Sequence, residues 1–271
     1  MAGPAPVLSG LDASPAAGFA ASLRGVTKVY DSGVAALGPI DLDVRKGEFV
    51  SLLGSSGCGK STALRLIAGL SAATSGAVRV SKRAAQAAHS IGFVFQEPTL
   101  MPWTSVRENV RLPLKLARVP REQADARVGE ALVQVGLAEF AEAYPRELSG
   151  GMKMRVSLAR ALVTDPDILL MDEPFAALDE ITRFRLNNDL LALWRNLRKT
   201  VIFVTHSVFE SVYLSQRVIV MTPRPGRLAA EFRIDAAEPR NEEFRTSVEY
   251  AAYCREVSIA LADASGEKLA S

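Results

Sequence analysis

The chain predicts an α/β fold in which a largely parallel β-sheet is covered by helices on both faces. Three observations carry that prediction. Short, continuous apolar runs (EFVSLLG, DILLMDE and TVIFVTH) read as strands buried on both sides, the pattern of a parallel-sheet interior. Segments of helical spacing alternate with them, as in STALRLIAGL, where Leu64, Ile67 and Leu70 recur at helical intervals. A glycine-rich loop, Gly54 to Lys60, joins the first of these strands to the first of these helices.

Taken in order, residues 1–20 are rich in Ala, Pro and Gly without periodicity and are expected to form a flexible tail. From Ala21 to Val44, the runs SLRGVTKVY and IDLDVRKGE predict antiparallel strands, with turns at Asp31-Ser32-Gly33 and Lys46-Gly47. SIGFVFQ is a further strand. Residues 98–162 are mainly helical, with breaks expected at Pro113, Pro120 and Pro145, and resemble an inserted subdomain. RVIVMT predicts another strand and PRPGR a turn. Residues 236–271 predict a weakly patterned helical extension. The core is therefore expected from 21–97 and 163–235, interrupted by the helical piece.

Bulk properties narrow the function. Lys and Arg total 32 against 30 Asp and Glu, a net charge of +2, so no global field directs the chain to nucleic acid. Two cysteines, Cys58 and Cys254, make neither a disulfide framework nor a zinc spacing, and suit a reducing compartment. The first residues lack the basic start and apolar run of a signal peptide, and no stretch reaches the ~18 apolar residues of a membrane span.

The loop GSSGCGKS, comprising Gly54, Ser55, Ser56, Gly57, Cys58, Gly59, Lys60 and Ser61, fills every fixed position of G-x-x-x-x-G-K-[ST]. Glycines let the backbone wrap phosphate oxygens, and N–H groups at Gly57, Gly59 and Lys60 are expected to point into that concavity. The next helix presents its positive end to the anion. Lys60 is expected to neutralise the β- and γ-phosphates, Ser61 to ligate Mg²⁺, and Thr62 to add a hydroxyl near the α-phosphate. The motif alone specifies only a nucleoside triphosphate on a P-loop NTPase (RecA-like) core, and could belong to a kinase, a GTPase, a RecA-type motor or an ABC ATPase.

ILLMDEP places Asp172 and Glu173 at the end of a buried strand, where parallel sheets bind ligands. Adjacent carboxylates there repel each other and cost desolvation, which argues for chemistry. Asp172 can hold Mg²⁺ and Glu173 can serve as general base for water. A plainer reading is an acidic pair at a helix start.

The element that selects among NTPases is LSGGM followed by KMRVSLARAL. Ser149 is a favoured helix cap, but a cap alone does not require Gly150 and Gly151. Together they make a second anion-binding helix end. With this motif the sequence resembles the ABC ATPase family from about residue 22 to 235. The resemblance implies that Tyr30 stacks on adenine and that Gln96, in FVFQEP, senses the γ-phosphate and ligates Mg²⁺. It implies that Ser149, Gly150 and Gly151 contact ATP on the opposite subunit, that Ala177-Leu178-Asp179 joins the two sites, and that His206 is the switch histidine. Plainer alternatives are a strand aromatic for Tyr30, a strand end for Gln96 and His206, and a cap for Asp179. Met152 departs from the Gln common at the fifth signature position. His89 matches no motif and reads as a loop residue.

By the same resemblance, FQEPTLMPW, EPFAALDEITR and VTHSVFESVYLSQRVIVMTPRPGR place the chain in the nitrate/sulfonate/taurine importer branch. That branch implies an ATP- and Mg²⁺-dependent homodimer at the cytoplasmic side of a bacterial inner membrane. It further implies transmembrane permease subunits and, indirectly, a periplasmic solute-binding protein. A soluble, non-transport ABC ATPase is the alternative, but no second cassette or long coiled-coil insertion is present. Arg107, Arg111, Lys115 and Arg118 fall at helical spacing, so they form either a solvated stripe or a contact with permease acids or anionic lipid. Cys58, beside a helix start and Lys60, is expected to be a reactive, nucleotide-protected thiol, the plainer alternative being a small residue packed inward and inert, and Cys254 is expected to react regardless of nucleotide.

Overall fold

The computed structural model describes residues 18–81, 90–236 and 240–266. Residue His89 and most of the expected tail lie outside them. The strands are β1 (Phe19–Val29), β2 (Ala35–Arg45), β3 (Phe49–Leu53), β4 (Ser75–Val80), β5 (Ile91–Val94), β6 (Ile168–Asp172), β7 (Thr200–Thr205), β8 (Arg217–Met221) and β9 (Leu228–Arg233). The helices are α1 (Lys60–Ile67), α2 (Val106–Leu116), α3 (Arg121–Gln134), α4 (Gly150–Leu162), α5 (Glu180–Leu197), α6 (Val208–Leu214), α7 (Glu242–Arg245) and α8 (Val248–Ser265).

The larger sheet runs β5-β6-β7-β3-β8-β9 and is parallel except for β9, which is antiparallel to β8. Strands β3, β6 and β7 are buried along their whole length, as their apolar runs require. The two faces follow the period of two. Val50, Leu52, Ile168, Leu170, Ile202 and Val204 face α1 and the antiparallel sheet. Phe49, Leu53, Leu169, Met171, Val201 and Phe203 face the helical side. The smaller sheet, β2-β1-β4, is antiparallel.

Register brings the chemistry to one edge. Leu53 pairs with Thr205, and Asp172 with Val204. The residues that follow these strand ends (Gly54, Glu173 and His206) therefore emerge together. Strand β7 lies between β3 and β6, so the histidine strand separates the phosphate-loop strand from the acidic strand.

Several expectations need correction. Strand β1 begins at Phe19, inside the segment expected to be tail, because Ala20 and Ala21 pack into the core. Pro113 does not break the chain; α2 runs through it to Leu116. The ring removes one donor, but Val106, Val110 and Leu114 remain buried on one face and hold the helix. Pro120 does sit at the α3 cap, and Pro145 opens a 3₁₀ turn. The basic stripe is divided: Arg107 pairs with Glu142 at 2.6 Å, while Arg111, 12% exposed, pairs with Glu108 and Asp125. Its guanidinium is spent inside the protein, so no four-residue solvated stripe exists. Strands β4 and β9 carry only short apolar content and gave no sequence signal.

The C-terminal segment is fastened to the core by Arg240, 4% exposed. Its Nη1 donates to the carbonyls of Val212, Tyr213 and Ser215 at 3.1, 3.0 and 2.7 Å, and its Nη2 to Ile234 O at 3.1 Å. These include carbonyls at the end of α6, which lack intrahelical partners. Tyr250 Oη donates to Phe209 O at 2.9 Å, adding a second tie to α6. Among the described residues no helix is long and apolar enough to cross a membrane.

Candidate functional site

The loop after β3 turns through Gly57 and Gly59 at φ of 77° and 105°, conformations that disfavour any side chain. Gly59 also approaches the backbone of β2, where a Cβ would lie 2.7 Å from Ala36 O. The side chain of Lys60, 3% exposed, folds back over the loop and donates to Gly54 O at 2.8 Å and Ser55 O at 3.0 Å. Next in the chain, Ser61 Oγ donates to Asp172 Oδ1 at 2.7 Å. Burial pushes the Asp172 carboxyl above the usual carboxylate range, and the Ser61 hydroxyl opposes that.

Glu173 stands at φ 45°, a left-handed conformation rare outside glycine, with its N–H held by Val204 O at 3.0 Å. Its carboxylate lies between two nitrogens. Oε1 is 3.4 Å from Lys60 Nζ, and Oε2 is 3.0 Å from His206 Nδ1. A carboxylate that accepts this bond takes it from the His206 tautomer with its proton on Nδ1. The imidazole remains half exposed.

Of these groups, Lys60, Ser61 and Glu173 line an open cleft of ≈ 530 Å³. Ser56, Gly57, Gly59, Lys60, Ser61, Thr62, Gln96 and Glu173 line it, with Tyr30 at its outer rim. Tyr30 Oη is 3.1 Å from Thr62 Oγ1, which fixes the ring beside the helix start. Gly54 and Ser55 contribute the carbonyls that hold Lys60. Arg224 also lines the cleft, its Nη2 donating to Gly57 O at 3.2 Å. The sequence showed only a turn at PRPGR. Gly226 lets this loop pack against the phosphate loop, since a Cβ there would meet Cys58 O at 1.9 Å, a contact that the sequence does not signal.

Asp172 and His206 are not in the lining itself and join it through Ser61 and Glu173, whereas Ser149, Gly150, Gly151 and Asp179 lie elsewhere. Ser149 caps α4 and accepts from Met152 N at 3.3 Å, and Asp179 caps α5 and accepts from Thr182 N at 2.9 Å. That backbone bond holds the exposed Asp179 carboxyl below its ordinary range. Gly150 and Gly151 let the two helix starts touch; a Cβ on Gly151 would be 2.7 Å from Thr182 Cγ2. Signature and Asp179 loop thus form one surface cluster, distinct from the chain's own phosphate cleft.

Cys58 is packed inward, the plainer of its two alternatives, and not a reactive thiol of the cleft. Its thiol is 1% exposed, packs under Gly54 and belongs to the core between the two sheets. Burial pushes it up, outweighing Lys60. It therefore offers no side chain to a ligand. Cys254 is also buried, and burial pushes it up to about 11. The folded state prefers the protonated thiol of Cys254. The stability this gives is full below the ordinary value of 9.0 and is lost as pH rises through about 11. At neutral pH both thiols should resist maleimide, with or without ATP, and react only after denaturation. Peptide mass spectrometry after timed labelling checks this; rapid labelling of native Cys58 would contradict its placement.

Comparison with known proteins agrees with this geometry. The model of a family described as "ABC transporter" matches residues 37–176. A taurine import ATP-binding protein, TauB, of Rhizobium johnstonii is 49% identical, covering 76% of this chain and 79% of that protein. A nitrate import ATP-binding protein, NrtD, of Synechocystis is 44% identical, covering 83% and 87%. Among solved structures, a dimeric ATP-binding cassette in a post-hydrolysis state, bound to ADP and phosphate, is similar at a TM-score of 0.69 with 34% identity. The match covers 80% of this chain and 100% of that one. With the phosphate loop, acidic strand end and histidine converging as described, the chain belongs to the ABC transporter family as an ATP-binding, ATP-hydrolysing subunit.

Proposed function

We propose that this cleft binds ATP with Mg²⁺ and that the chain powers import of a small solute such as nitrate, a sulfonate or taurine. The carrying observation is the Glu173 carboxylate, held between Lys60 and His206 beside the Ser61–Asp172 pair. Tyr30 stacks the adenine, and the amides of Gly57, Gly59 and Lys60 face the phosphates. Lys60, already positioned by two carbonyls, places its charge at the β- and γ-phosphates, while Thr62 meets the α-phosphate.

The oxygen donors of Ser61, Asp172 and Gln96 fit Mg²⁺, a hard cation that keeps waters and shares phosphate oxygens. Among the described residues no group of three or more His, Cys, Asp or Glu competes for a different metal. When bound, the ion supplies positive charge to the phosphates. Glu173 accepts a proton from the attacking water at a carboxylate oxygen, and His206 keeps that carboxylate oriented.

Ser149, Gly150, Gly151 and Asp179 lack a place in their own chain's cleft, which supports a head-to-tail homodimer in which they complete the partner's site. Closing two such subunits over ATP adds helix-start dipoles to the γ-phosphate. Hydrolysis removes the group both subunits hold, and the opening is passed to transmembrane permease subunits. A periplasmic solute-binding protein delivers the solute, and this chain works at the cytoplasmic face of the bacterial inner membrane. Residues 98–162 form the helical subdomain that meets the permease.

Calorimetry tests the division of labour. The purified chain should bind Mg²⁺-ATP saturably, lose that heat in Lys60→Ala, and give only dilution heat with nitrate, taurine or alkanesulfonates. Saturable solute binding would overturn it.

A further inference from the structure

We propose that Arg183 is a positioning residue that couples the loop ending at Asp179 to the loop carrying His206, with Glu210 as its partner. The contacts form a continuous path. Arg183 lies in the first turn of α5, and its Nη2 donates to Leu178 O at 3.0 Å. Its Nε faces Glu210 Oε1 at 3.7 Å. The other oxygen, Glu210 Oε2, accepts from Thr205 Oγ1 at 2.6 Å. The same Thr205 Oγ1 accepts from Ser207 N at 3.0 Å. Thr205 and Ser207 flank His206, so the path runs from the Leu178 carbonyl to both sides of the switch histidine.

Two features separate this from an ordinary ion pair between helices. Glu210 is 8% exposed, and its carboxyl is pushed up by burial, opposed by Thr205 and then by Arg183. A charge in that setting depends on its partners. Arg183 Nε and Glu210 Oε1 are also both buried without a hydrogen bond, although they face each other. Their separation exceeds hydrogen-bond length by less than ~1 Å, and an unsatisfied buried pair is costly. A small displacement of the Leu178–Asp179 loop toward α6 makes a charge-assisted bond there. The position of Asp179, where a partner subunit bears, thus biases the position of His206. Sequence alone gave no sign of it, since Arg183 and Glu210 are 27 residues apart and belong to different helices.

The inference rests on the roles proposed above for Asp179 and His206. Steady-state ATPase kinetics on the full-length chain should therefore compare His206→Ala, Arg183→Gln, Arg183→Lys, Glu210→Gln and the Arg183→Gln/Glu210→Gln double variant. Arg183→Gln should lower kcat about tenfold while leaving KM for ATP within about twofold, and Arg183→Lys should restore part of kcat. The double variant should be no worse than the poorer single one, because both break the same path. Glu210→Gln keeps the shape of the side chain and carries the test if Arg183→Gln folds poorly. Normal kcat in Arg183→Gln with an inactive His206→Ala overturns the coupling and leaves the site intact. Additive losses, or a KM that rises in step with falling kcat and melting temperature, also overturn it in favour of a structural ion pair. If His206→Ala itself turns over normally, the site assignment fails instead.

Discussion

Glu173→Gln should hold ATP yet hydrolyse it about 10²–10⁴-fold more slowly, the usual cost of losing a general base. The amide is nearly isosteric, so the left-handed backbone at φ 45° and the approach to His206 can persist. It cannot take a proton from water at neutral pH. The amide also removes the negative charge that faces Lys60 at 3.4 Å, which should strengthen rather than weaken the hold on a triphosphate. Unhydrolysed ATP should then keep two subunits together. Phosphate release gives the rate, and size-exclusion chromatography with ATP and Mg²⁺ gives the assembly state. A monomer peak with near-normal turnover would remove Glu173 from the role of base.

Arg240→Met should produce the largest loss of stability. The substitution keeps an apolar stem but strips hydrogen bonds from four carbonyls, at Val212, Tyr213, Ser215 and Ile234. Each buried carbonyl left without a partner costs about 1–3 kcal/mol, and partial rehydration should leave a net loss of at least about 3 kcal/mol. For a chain of this size that corresponds to a fall in melting temperature of about 10 °C. The loss should concentrate in α6 to α8. Hydrogen exchange should show α6 opening with the C-terminal segment while β3, β6 and β7 stay protected. A melting temperature within about 2 °C of the parent would show that the guanidinium is not what fastens the segment.

The parts legible in the sequence are those whose chemistry is local. Gly57, Gly59, Lys60 and Ser61 follow from a contiguous motif, and the buried strands ending at Leu53, Asp172 and Thr205 from continuous apolar runs. Parallel pairing then brings their ends together without further information. What escaped depends on contacts between distant residues. Arg224 enters the cleft only because Gly226 lets its loop touch Cys58. The burial of Cys58 depends on where its side chain turns within the loop, which residue order does not encode. Asn109, fully buried, binds Met101, Thr104 and Ser105 and ties the preceding loop to α2. The continuity of α2 through Pro113 likewise reflects packing that overrides a local penalty.

The central claim is that each ATP site is completed by a second copy of the chain. Its most direct measurement mixes two inactive variants, Lys60→Ala and Ser149→Arg, and follows ATP hydrolysis. In a head-to-tail heterodimer both lesions fall in one site. One is in the phosphate loop of the Lys60→Ala chain, and the other is on the helix start of Ser149→Arg that covers it. The second site then pairs an intact Lys60 with an intact Ser149. The account predicts that each variant alone is inactive and that the mixture recovers nucleotide-dependent dimers and measurable turnover, rising with equimolar mixing. Absence of both dimers and turnover at every ratio, with each variant folded, would contradict the composite site.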